Sequence, residues 1–120
     1  MRPILRPMAH VLVVEPVHET RELIECVVRR MGHEIVSTES FRNVDVVFYE
    51  PNSIAGRALA LRVQGERPEV RLVACSAAPV REAARGLRPF ASLLQPFSSR
   101  DLRRVLEAAL PGSVAASSMS

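Results

Sequence analysis

Val11-Leu12-Val13-Val14-Glu15-Pro16 is the stretch on which the fold turns. Its first four residues are apolar, and three of them are β-branched. A strand with one wet face would alternate apolar and polar residues; an unbroken run belongs to a strand buried on both faces, the kind found in parallel sheets. An acid and a proline then stop it. Working outward, Asp45-Val46-Val47-Phe48-Tyr49 repeats the pattern and is stopped by Glu50-Pro51-Asn52-Ser53. Further strands are predicted over 34–38, over 70–75 closed by Ser76-Ala77-Ala78-Pro79, and over 91–94.

Between these strands the apolar period changes from two to about 3.6. A helix is predicted over 20–31, where Leu23, Ile24, Val27, Val28 and Met31 share one face. Glu19 and Glu22 lie in or beside its first turn and Arg29 and Arg30 in its last, matching the helix dipole. Gly32 is its natural stop. A second helix is predicted over 54–63, ending before Gly65 and Pro68, and a third, rich in Ala and Arg, over 80–87. Ser98-Ser99-Arg100-Asp101 reads as an N-cap with an acid at the capping-box position. The last helix then runs to about 110, with Leu102, Val105, Leu106, Ala109 and Leu110 on one face. Pro111-Gly112 stops it. Only residues 39–44 are left for a helix between the second and third strands.

This alternation predicts an α/β fold: a flavodoxin-like (βα)5 three-layer sandwich with a five-stranded parallel sheet. The functional crevice of such a sheet lies at the carboxyl ends of its strands. Glu15, Pro16, Glu50, Pro51, Ser76, Ala77, Gln95 and Pro96 fall there.

The chain has 120 residues, enough for one core. Residues 10–110 form the expected domain, with an N-terminal extension over 1–9 and a small, polar tail over 111–120 expected to be disordered. No apolar run approaches the roughly 18 residues of a membrane span. Arg2, Pro3, Arg6 and Pro7 break up the start too much for a signal peptide, so a cytoplasmic protein is expected. Cys26 and Cys75 sit in apolar patterns, and His10, His18 and His33 share no ligand spacing with them; no metal or cofactor is expected. All 16 basic residues are Arg, and the net charge is +3. Arg is scattered rather than striped, so the charge does not point to nucleic acid.

Four pieces, in order, resemble the receiver domain of bacterial two-component response regulators. They are the first strand ending in an acid, Asp45-Val46-Val47-Phe48-Tyr49-Glu50 with Gly56 beyond it, Ser76-Ala77, and Leu94-Gln95-Pro96-Phe97 before the last helix. The match covers about 10–110. The resemblance implies that two adjacent acids hold Mg2+; here they fall on Glu15 and Pro16, and proline has no side-chain oxygen. The phosphoacceptor Asp falls on Glu50, one methylene longer. The conserved lysine of the family falls on Gln95, which carries no charge. The sensing hydroxyl survives as Ser76, and the switch aromatic falls on Ser92. Phosphoryl transfer depends on positioning and charge stabilisation, and both are impaired here.

The resemblance therefore implies a non-phosphorylatable pseudo-receiver that is no enzyme and acts in bacterial signal transduction through protein–protein contact. The alternative is a phosphorylatable receiver with Glu50 as an atypical acceptor. A third reading, a small-ligand binder, lacks a Gly-rich phosphate cradle after Val14; a DNA binder lacks a helix-turn-helix pattern. Glu50 could also mimic a phosphoryl group and hydrogen-bond Ser76, while the plain reading of Glu15, Glu50 and Gln95 is a solvated rim. By the same resemblance, the third helix, fifth strand and last helix form a partner or dimer face with Arg85, Arg88, Ser92, Arg100, Arg103 and Arg104. It would suit an acidic partner or, with Glu82 and Glu107 opposing the Arg residues, a second copy.

Overall fold

The computed structural model describes residues 8–76 and 86–110. Strands β1 (His10–Val14), β2 (Glu34–Ile35), β3 (Val46–Tyr49), β4 (Arg71–Ser76) and β5 (Ala91–Leu94) alternate with helices α1 (His18–Arg30), α2 (Ile54–Glu66) and α3 (Ser99–Ala109). The strands form one sheet in the order β2-β1-β3-β4-β5. Every pairing is parallel. The apolar runs read as doubly buried are so: Val11 and Leu12 of β1 and all four residues of β3 are buried.

Side chains alternate across the sheet. On one face Val11, Val13, Val46, Phe48, Val73 and Cys75 pack against Ile24, Val27 and Val28 of α1 and Leu102, Leu106 and Ala109 of α3. On the other, Leu12, Val47, Tyr49, Leu72 and Ala74 pack against Ala60 and Val63 of α2. Each fully buried Val or Leu contributes about 1.5–3 kcal/mol. The three-layer parallel sandwich is thus the flavodoxin-like α/β fold the apolar runs predict.

Several boundaries differ, for local reasons. No helix forms between β2 and β3. Phe41 and Val44 drop from turns into the α2-side core instead, and Arg62 stacks over Phe41 at 5.4 Å. β2 is two residues long rather than the five of 34–38; only one more rung, Val36 N to Val11 O at 2.9 Å, extends it. As an edge strand it has a single neighbour to hold it. α1 starts at His18, two residues before the predicted start, with Val17 as N-cap. α2 runs through Gly65 to Glu66. Its true stop is Pro68, which disfavours helical geometry in the residue before it. The expected helix over 80–87, most of the extension over 1–9 and the tail over 111–120 lie outside the described residues.

Two helix starts are built as their sequences imply. Ser98 Oγ accepts from Asp101 N at 3.1 Å, and Asp101 Oδ2 accepts from Ser98 N at 2.9 Å, a complete capping box. Ser53 Oγ accepts from Gly56 N at 3.0 Å. Gly56 is there for space: a Cβ would lie 3.0 Å from the Glu50 carbonyl oxygen. The first turn of α2 is thereby pressed onto the end of β3. Among the described residues, no helix is long and apolar enough to cross a membrane.

Candidate functional site

The register carries the site residues to one end of the sheet. Val14 pairs with Tyr49, so Glu15 and Glu50 leave β1 and β3 side by side, with Glu50 N donating to Val14 O at 3.3 Å. Ser76 closes β4 opposite Leu94, and Gln95 N donates to Ser76 O at 2.8 Å. Glu15, Glu50, Ser76 and the Gln95 backbone thus cap four successive strands.

Glu15 is not a rim residue. It is only 4% exposed. Its Oε2 accepts from Val17 N at 3.1 Å. Its Oε1 is enclosed and has no hydrogen-bond partner among the described residues. An enclosed carboxylate oxygen without a donor favours the protonated form. Burial accordingly pushes the Glu15 carboxyl up; the Val17 N–H opposes this, the Glu50 charge adds to it, and Arg21 opposes it. The Arg21 guanidinium hydrogen-bonds not the carboxylate but the main-chain carbonyl of Glu15, at 3.3 Å.

Glu50 is half-buried. Its carboxylate turns back on its own loop, where Oε2 accepts from Asn52 N at 2.8 Å. Asn52 then reaches across the crevice, and its Nδ2 donates to Ser76 Oγ at 2.9 Å. The Glu50–Ser76 contact considered from sequence is therefore relayed through Asn52. From sequence Asn52 reads only as part of the stop after β3; its one signal as a site residue is a side-chain amide two positions beyond Glu50.

Behind the crevice, burial and then the charges of Glu15 and Glu50 push the Cys75 thiol far up, so it stays a thiol. Burial likewise raises the Tyr49 hydroxyl. Neither is poised as a nucleophile or base.

The donors do not fit a Mg2+ ion. Among the described residues no group of three or more His, Cys, Asp or Glu is placed to hold a metal. Pro16 offers nothing. Glu15 spends one oxygen on Val17 and encloses the other, where an ion that demands octahedral geometry and keeps its waters has no access.

Gln95 is partly buried and lines a shallow groove of about 210 Å³ with Glu19, Thr20, Leu23, Pro96 and Phe97. Pro96 is exposed, and the Gln95–Pro96 peptide is cis. The expected Arg-rich face divides. Arg85 lies outside the described residues. Arg88 and Ser92 are exposed near β5, and Arg88 N donates to Gln64 Oε1 at 2.9 Å. Arg100 and Arg103 instead line a groove on the other flank of α3, against Leu23, Cys26, Val27 and Arg30 of α1. Arg104 is exposed, one residue round the helix from Arg103.

No protein-family model matches the chain, and no curated protein matches it. Solved structures do. NtrX from Brucella abortus, in complex with ADP, superposes with a TM-score of 0.72 at 25% identity over 94% of this chain and 28% of its own. A response regulator from Thermotoga maritima gives 0.69 at 17% identity, covering 86% of this chain and 98% of its own. The response regulator TrrA from the same organism, in complex with Mg2+ and beryllium fluoride, gives 0.70 at 18% identity over 86% and 100%. The chain has the fold of CheY-like response regulator receiver domains.

Proposed function

We propose that this chain is a pseudo-receiver: a signalling domain of receiver fold that takes no phosphoryl group and acts by binding a protein. One observation carries the reading. The groups that would receive and sense a phosphoryl group are engaged with one another, Glu50 Oε2 with the Asn52 amide and Ser76 Oγ with the Asn52 side chain. The chemistry around them agrees. A buried, proton-favouring Glu15 beside Pro16 supplies no metal site, and Gln95 brings no charge to a developing phosphoryl transition state. The receiver fold of the neighbours supports a place in signal transduction.

The test is exposure of the intact protein to Mg2+ and acetyl phosphate. The expected outcome is no added phosphoryl mass and no shift of the amide resonances of Glu15, Glu50, Asn52 and Ser76. Phosphate bound at Glu50, lost in Glu50→Gln, would establish the atypical acceptor instead.

A further inference from the structure

The charges of α1 fall into two groups. His18 and Glu22 pair at 3.3 Å, Glu25 and Arg29 pair at 3.7 Å, and Arg21 binds the Glu15 carbonyl. Arg30, in the last turn, has no ion pair or hydrogen bond among the described residues. Neither has Arg103 on the facing flank of α3, and Arg100 interacts electrostatically with the neighbouring Asp101 without an ion pair among the described residues. These three arginines line one groove of about 330 Å³ between α1 and α3. Its apolar wall comes from Leu23 and from Val27, which reaches into the core. Like charges on neighbouring helices repel, and among the described residues none of these three forms an ion pair with an acid. Arg is also the cation best suited to pair with carboxylates in a fork.

We propose that the α1–α3 groove is the docking site for an acidic segment of a partner protein, one that lays an apolar side chain on Leu23 and Val27 and sets carboxylates against Arg30, Arg100 and Arg103. The proposal rests on the reading of this chain as a protein-binding domain. It moves the contact from the β5 side of α3 to the α1 side, where Arg30, Arg100 and Arg103 share one groove. The charge complementarity selects an acidic occupant. A second copy would present the same three guanidinium groups, and a two-fold axis along this face would bring the α3 flanks together.

Cys26 lies in the groove and is exposed, whereas Cys75 is buried. The native protein therefore carries its own reporter. The rate at which Cys26 reacts with dithiobis(nitrobenzoate), a dianion, is divided by its rate with dithiodipyridine, which is neutral; a change in the thiol's own reactivity cancels in this ratio. Cys26→Ser supplies the background. A cleft lined by one sign of charge concentrates counter-ions about tenfold or more. The ratio should therefore fall about tenfold in Arg30→Gln/Arg103→Gln, and it should fall in the native protein at about 1 M salt, where the screening length is about 3 Å. A synthetic peptide with Leu flanked by Glu on both sides should slow the neutral reagent saturably, and its Gln-for-Glu counterpart should not. A ratio unchanged in the double variant overturns the proposal. Failure of the acidic peptide to protect Cys26 at millimolar concentration, with the ratio intact, overturns the peptide as occupant and leaves a groove for small anions. Neither result depends on whether Glu50 takes a phosphoryl group, so a failed groove and a failed pseudo-receiver reading are told apart.

Discussion

The two ends of the sheet handle charge in opposite ways. At the amino end, Asp45 Oδ2 accepts from His10 N at 2.9 Å, and Asp45 N donates to His10 O at 2.8 Å. Arg67 ties the β2–β3 connection to α2, with Nε on Val44 O at 2.8 Å and Nη1 on Arg42 O at 3.0 Å. Its remaining nitrogen pairs with Glu69 at 3.3 Å. Asp45 and Arg67 are thus each held by partners. At the carboxyl end two carboxylates stand together, one of them buried with an oxygen that no donor among the described residues reaches. The first end is built for stability. The second carries a like-charge cost that cavity filling or a neutral side chain would have avoided. The carboxyl end keeps two adjacent acids and links Glu50 to Ser76 through Asn52.

The comparison can be broken from the amino end, where the effect should be largest. Arg67→Ala removes the donors to the part-buried Val44 carbonyl and the Arg42 carbonyl together with the Glu69 ion pair, and should destabilise by about 2 kcal/mol, read from the urea midpoint. Next comes the loop that shapes the crevice. Gly56→Ala forces a Cβ against the Glu50 carbonyl. It should cost about 1.5 kcal/mol and shift the Asn52 and Ser76 amide resonances, because overpacking is relieved by moving backbone.

The smallest effect sharpens the comparison most. The folded Glu15 carboxyl titrates above its unfolded value, so the native state binds its proton more tightly. Its contribution to stability is fully present below the unfolded value and is lost as pH rises through the raised folded value. Glu50→Gln removes one of the causes of that rise. Native protein should lose stability from acid towards neutral pH through this group, and the variant should lose less, with a gain of a few tenths of a kcal/mol, about the worth of removing one like-charge neighbour. Urea midpoints of both proteins across the acid range measure this; parallel profiles would remove Glu50 as a cause.

Much of this was legible in the chain. The unbroken apolar runs of β1 and β3, the stop at Gly32 (φ 86°) and the capping box at Ser98 are local features, and each appears where its residues required. Boundaries slipped where a neighbour outweighed local preference. Phe41 found the core without a helix, and α2 passed Gly65 because Pro68, not glycine, ends it.

The sequence by itself determined the parallel sandwich, because burial on both faces is written as uninterrupted β-branched runs. It also determined which residues reach the carboxyl end, because each strand is stopped by the residues that follow it. Only the tertiary structure decided what those residues do there. Asn52 and Ser76 are 24 positions apart, and no local pattern links them. Burial of Glu15 depends on how closely its loop folds over it. Arg30 and Arg103 share a groove only because the order β2-β1-β3-β4-β5 sets α1 beside α3 on one face. Hydrogen bonds and charge act through space, and that neighbourhood exists only once the sheet has set its order.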